Sequence, residues 1–216
     1  MKFAKIPENT FQELQLGAGV LVKTFDPKVG NIALENIIGA TTGGSTFTAT
    51  PTFSDYGSDI DNCPTNMKEL KKLDEWAATM AGTYITASTA TAKSLIAAAD
   101  IDSTDPTHII PRNDLKNEDF GDIWWVGDYS DKNGEKNGGF MAIHLKNALS
   151  TGGFSVKTAN KSKGQYAFTY TAHYSMNNQD EVPFEVYIKS GTDEAASSVP
   201  ALMYTSNGTS SCFSIE

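Results

Sequence analysis

Residues 165–174 read QYAFTYTAHY, and the fold follows from that stretch. Every second position is large or apolar: Tyr166, Phe168, Tyr170, Ala172 and Tyr174, with Ala167, Thr169, Thr171 and His173 between them. Side chains on a strand alternate between faces, so the pattern predicts a strand with one aromatic face and one mixed polar face. Aromatic and β-branched residues suit a pleated, half-buried surface. Lys161 to Gly164 supplies a turn before it, and Asn177, Asn178 and Pro183 mark a loop after it.

A strand of this length needs neighbours to satisfy its backbone and bury its rings. The flanking chain offers Asp122 to Asp128 (DIWWVGD), Phe140 to Leu145 (FMAIHL), Phe154 to Thr158, and Phe184 to Lys189 (FEVYIK). Asn133-Gly134 and Asn137-Gly138 are hairpin-type turn signals. Residues 122–189 are therefore expected as an antiparallel meander of five strands. Trp124 and Trp125 fall on opposite faces, which predicts burial on both sides, in a sandwich or against another subunit.

Upstream, Phe11 to Phe25 reads as an entry segment punctuated by Gly17 and Gly19, then a strand from Val20. Asn31 to Gly44 is expected to be a long loop ending in the small, flexible GATTGG. It is either a surface loop or an arm that orders only against a neighbour. Ser45 to Tyr56 is a strand carrying Phe47, Ala49 and Phe53, and Pro51 within it points to an edge or a bulge. Lys68 to Trp76 fits a helix or a strand, and Ala77 to Ala87 a strand. Ser88 to Asp100 (STATAKSLIAAAD) is the one helix: Ser88 or Thr89 can cap it, and Ala92, Leu95, Ile96 and Ala99 form its apolar stripe. It is too short to stand alone and must pack on a sheet. His108 to Arg112 is a short extended piece. Residues 190–216 are rich in Ser, Thr, Ala and Gly around an apolar island at Val199 to Tyr204, and read as a frayed tail or a docking arm.

The 216 residues contain no dividing linker, so residues 1–190 are expected as a single domain and 191–216 as a C-terminal arm or tail. The formal charge is −9, with Lys and Arg totalling 17 and no dense basic cluster, which excludes a surface built to grip nucleic acid. The same balance also serves plain solubility. The opening MKFAKIPENTF lacks the apolar core of a signal peptide, and no apolar run is long enough to cross a bilayer, so synthesis in the cytosol is expected. Cys63 and Cys212 match no metal spacing and are expected as free thiols.

The chain carries no G-x-S-x-G, P-loop, H-E-x-x-H or dinucleotide fingerprint. His108, His144 and His173 are far apart, and a lone strand histidine is usually a packing or surface residue. Gly57 to Thr65 holds Asp59, Asp61 and Asn62 but lacks the glycine and distal glutamate of a calcium loop. Asn160-Lys161-Ser162 and Asn207-Gly208-Thr209 match a glycosylation pattern that matters only in a secreted eukaryotic protein. No catalytic, cofactor-binding or metal residue is singled out, and an enzyme is not expected. A binding alternative is a sugar-binding β-sandwich module in which Trp124, Trp125 and Tyr129 form a stacking platform.

The order of these pieces resembles the major tail tube proteins of long-tailed, non-contractile bacteriophages. The pieces that carry the resemblance are GAGVLVKTF, the loop ending GATTGG, TFTATPTFSDYG, and KELKKLDEW leading into AGTYITAS. They continue with the helix TAKSLIAAAD, then GDIWWVGDYS, FMAIHLKNALSTGGFSVK, and YAFTYTAHYS with VPFEVYIK, over Leu16 to Lys189. The resemblance implies a mainly β fold, an antiparallel β-sandwich or barrel with one flanking α-helix, a long loop and terminal arms. It implies a structural virion protein, made in the host bacterial cytoplasm, that self-assembles into hexameric rings whose sheets join as an inner barrel. The rings would stack into a tail tube that meets the tape measure and tail terminator. DNA would pass down the lumen without specific binding, and no membrane or cofactor is implied. The acidic balance would then line a lumen that repels DNA over roughly 8–10 Å. The inner tube of a contractile tail or injection machine shares that fold and is the near alternative.

Overall fold

The computed structural model describes residues 5–7, 10, 13–130 and 136–191. Along them run β1 (Leu14–Gln15), β2 (Val20–Val22), β3 (Ile37–Gly39), β4 (Thr41–Asp55) and β5 (Lys71–Tyr84). After α1 (Thr89–Ile96) come β6 (Ala99–Ile101), β7 (Ile109–Pro111), β8 (Gly121–Ser130) and β9 (Lys136–Ser150). The last are β10 (Ser155–Lys157), β11 (Gln165–Thr171) and β12 (Phe184–Lys189).

Ten strands form one antiparallel hydrogen-bonded network, folded by β9 into two layers. Residues 140–145 of β9 pair with β8 on one edge and β12 on the other, while Leu149 and Ser150 pair with β11. The first layer is therefore β3-β2-β8-β9-β12, with β1 on the far end of β8; the second is β4-β5-β11-β10. β6 and β7 make a separate ribbon beside α1.

The alternation in 165–174 sets the core. Phe168 and Tyr170 are buried with Met80 and Tyr84 of β5, against Leu21, Ile143 and Leu145 of the first layer. Each such side chain contributes roughly 1.5–3 kcal/mol by leaving water. β11 ends at Thr171, and Tyr174 is 40% exposed, although the Ala172 amide still donates to Ala78 O at 2.9 Å. A second core covers the outer face of the first layer, where Phe25 meets Trp124 and Phe140 edge-on at 5.8 and 5.3 Å. Trp124 and Trp125 thus serve opposite faces, as the sequence predicts.

α1 begins where expected: the Thr91 amide donates to Ser88 Oγ at 3.1 Å. It docks on the second layer through the buried Leu95, the Ser94–Tyr170 hydroxyl pair at 3.2 Å, and Ser150 Oγ donating to Leu95 O at 3.0 Å. It stops earlier than the apolar stripe predicts. Ala97 takes φ 67°, and Ala99 leaves the helix to pair with Pro111. Arg112 holds that ribbon, its amide donating to Ala98 O at 2.8 Å and its Nε lying 2.9 Å from Asp100 Oδ2.

Two further expectations are corrected. Residues 31–44 are not one long loop: Ile37–Gly39 is β3 and β4 already begins at Thr41. Gly43 and Gly44, at φ 75° and 80°, form a bulge between the pairs Thr41–Tyr84 and Ser45–Gly82, so the glycines bend a strand rather than loosen a loop. The outer edge of β3 is closed, since Thr91 Oγ1 donates to Ile38 O and the Ala40 amide donates to Thr86 Oγ1, both at 3.0 Å. The long connection is residues 56–70, between β4 and β5. Lys68–Leu70 is one 3-10 turn, and the strand runs from Lys71. Finally, 122–189 is not a simple meander: β12 returns to β9, because β5 occupies one edge of β11 and β9 with β10 the other. The Asn133-Gly134 turn, residues 1–4 and the arm or tail at 192–216 with Cys212 lie outside the described residues.

Candidate assembly surfaces

β4 and β5 are longer than the layer they belong to. β11 covers β5 only from Thr79 to Tyr84, extended by the Ala172–Ala78 bond. Beyond that point the Trp76 amide donates to Tyr174 Oη at 2.9 Å. Residues 71–75 are exposed and, among the described residues, pair only with β4, so the distal half of the hairpin stands off as a two-stranded arm. Phe53 and its partner Leu73 are 52% and 41% exposed there, with Lys71 Nζ 5.3 Å from the Phe53 ring.

The arm is closed at its tip by Asp55. Its carboxylate accepts the Asn66 amide at 2.8 Å and the Gly57 amide at 2.9 Å, and these two bonds hold its pKa below the ordinary carboxylate range. The Tyr56 amide donates to Leu70 O at 3.0 Å. Asp59 and Asp61 stand exposed on the tip, and no group of three or more His, Cys, Asp or Glu positioned to hold a metal occurs among the described residues. Cys63 Sγ lies 3.4 Å from Met67 Sδ.

Among the described residues, the outer edge of β4 carries no strand. Because the Trp76 amide points towards Tyr174, the Pro51–Trp76 pair exchanges no ladder bonds, and the nitrogen of Pro51 faces outward. Proline is tolerated at such a place, since no bond to β5 is lost. Two residues away, Ala78 O accepts from Ala172 on the β11 side, so the polar backbone groups of its partner Ala49 also face outward, and by the same alternation those of Phe47.

The first layer ends in β12, which among the described residues pairs on one side only. Val186 and Ile188 lie in register with Ile143 and Met141, on the face turned towards the other layer, yet they are 43% and 64% exposed. Just beyond, Gly139 lets the backbone of 189–191 cross close above it; a Cβ there would sit 2.8 Å from Lys189 O.

The candidate sugar platform is not formed. Trp124 is 8% exposed and stacks on His144 with centroids 3.9 Å apart, Tyr129 is 6% exposed, and Trp125 turns to the other face with its indole N–H donating to Ala18 O at 3.1 Å. The histidines stay apart. His144 lies between Asp122 at 3.2 Å and Glu185 at 3.8 Å, His173 Nδ1 is 3.2 Å from Asn147 O, and His108 is 3.5 Å from Asp102.

Lys146 bridges Glu181 and Glu185 beside His144; these bonds hold both carboxyls below their usual range, Tyr187 assisting at Glu185 and Asn178 at Glu181. A groove of about 640 Å³ opens between α1 and the first layer, over Ile37, Ile38 and Ile123. Its buried acid, Asp119, is already engaged. Burial works against its charge, but the Lys116 amide and the Arg112 guanidinium at 2.6 Å outweigh that and keep its pKa low. None of these places joins a nucleophile to a base and an orienting group.

No helix among the described residues is long and apolar enough to cross a membrane. No protein-family model matches the chain, and no curated protein matches its sequence. Among solved structures, a chain of a native gene transfer agent virion superposes with TM-score 0.41 at 8% identity, over 82% of this chain and 99% of that one. A chain of the anti-feeding prophage cap, which terminates the AFP tube, gives TM-score 0.41 at 10% identity, over 88% of this chain and 96% of that one.

Proposed function

We propose that this chain is a structural subunit of a bacteriophage-type tail, joined to copies of itself through open strand edges in rings that stack as the tube for DNA. The observation that carries this reading is the outer edge of β4. It runs for fifteen residues with no strand beside it among the described residues, and exposed Phe53 and Leu73 ride on the arm it extends into. A long free edge is a template for pairing and an aggregation hazard unless a partner consumes it. In a closed ring every subunit supplies that partner to the next, which satisfies the edge and limits growth. The resemblance over Leu16 to Lys189 supports the same reading and adds rings of six, a place in the virion tail, and contacts with a tape measure and a terminator. The arm and residues 56–70 supply the contacts between stacked rings.

The test is light scattering and negative-stain microscopy of the purified full-length protein over rising concentration. Rings or tubes are expected. A monodisperse monomer at every concentration and salt would overturn the proposal.

A further inference from the structure

The outward face of the second layer differs from the rest of this acidic molecule. Cross-strand register places Thr48, Thr79 and Thr171 in one row, and Thr46, Ala81 and Thr169 in the next. Thr50 with Ala77, and Thr83 with Ala167, extend the surface at either end. The alternate positions on the same strands (Ala78, Met80, Phe168, Tyr170) are buried in the core, so this set faces away from the body. Among the described residues of these rows no side chain is charged; the first charges met along the strands are Glu75 at the arm end and Lys157, paired with Gln165, at the other.

We infer that this threonine and alanine face is the wall of the axial channel, and that the wall is neutral and hydroxyl-rich rather than acidic. The inference rests on the ring assembly proposed above. When copies add along the β4 edge, the second layer continues from subunit to subunit, and one of its faces must turn to the axis. The opposite face bears the first layer and α1, the bulk of the subunit, which needs the larger circumference outside. The face left for the inside is the threonine face. Its chemistry fits a passing polyanion. Lysine or arginine would hold phosphates in a salt-dependent grip, and large apolar side chains would offer stacking platforms; this surface has neither. Hydroxyls keep it wetted.

The experiment uses the full chain with Cys63→Ser and Cys212→Ser, and Thr48→Cys or Thr169→Cys added singly. Unassembled subunits should react both with a small maleimide and with a maleimide coupled to a globular protein. In assembled tubes the small reagent should still react, while labelling by the protein-coupled reagent falls to background. Reaction with both reagents in tubes would place the face outside, and loss of both would show it buried between subunits; either overturns the assignment and leaves the tube standing. Failure of the unsubstituted protein to form tubes overturns the ring proposal and this inference together.

Discussion

Single residues decide how closely the backbones approach. Gly19 has φ 68°, and a Cβ there would lie 2.5 Å from the Trp125 ring. Gly82 meets Phe168 Cζ at 2.6 Å and Gly44 O at 3.2 Å by the same measure. Gly82→Ala forces Phe168 out of its place, and we expect a loss of about 1–3 kcal/mol in chemical denaturation, with Phe168→Ala costing about 3–5 kcal/mol.

The Lys146 cluster makes a pH-dependent contribution. Glu181 and Glu185 have lowered folded pKa values through Lys146, so their contribution is present above the unfolded carboxyl value of about 4.3 and is lost as pH falls through the folded values. For Lys146, burial lowers the pKa but the two glutamates outweigh it; its raised value is a contribution present below about 10.4 and lost as pH rises through the folded value. Lys146→Met should therefore lower thermal stability near neutral pH and flatten its fall on the acid side. An unchanged acid slope in a melting series would contradict this.

At the scale of elements, the open β4 edge can be tested apart from the fold. The polar backbone groups of Ala49 face outward, so Ala49→Pro removes a donor from the edge without breaking a bond to β5. Thr48→Pro would remove one that the ladder uses. We expect Ala49→Pro to melt close to the parent and fail to assemble, and Thr48→Pro to lower the melting point. Normal tubes from Ala49→Pro would exclude this edge as the joint.

Much of this scale was legible in the sequence. Alternation located β4, β8 and β11, Ser88 marked the helix start, and Pro51 pointed to an edge or a bulge, of which the edge is seen. The readings failed where geometry is non-local. GATTGG has the composition of a flexible loop, and only its pairing with Tyr84 and Gly82 makes the two glycines a bulge. Nothing local in β9 tells that its first part pairs with β12 and its end with β11. Ala99 fits the helical stripe, but Arg112 draws its neighbours into a ribbon.

At the scale of the molecule, the layer switch in β9 leaves the β4 edge of one layer and the β12 edge of the other without strand partners among the described residues. The candidate surfaces were only half visible beforehand. Pro51 and the alternation of TFTATPT were in plain sight, but the threonine face emerges only when β4, β5 and β11 come into register.

The most direct measurement is residue-resolved hydrogen exchange of the β4 amides in free subunits and in the assembled state. The outward amides of Phe47 and Ala49 should exchange rapidly in the subunit and become strongly protected on assembly, while that of Thr48, already bonded to β5, stays slow in both. Assemblies in which Phe47 and Ala49 exchange as fast as in free subunits would contradict joining through this edge.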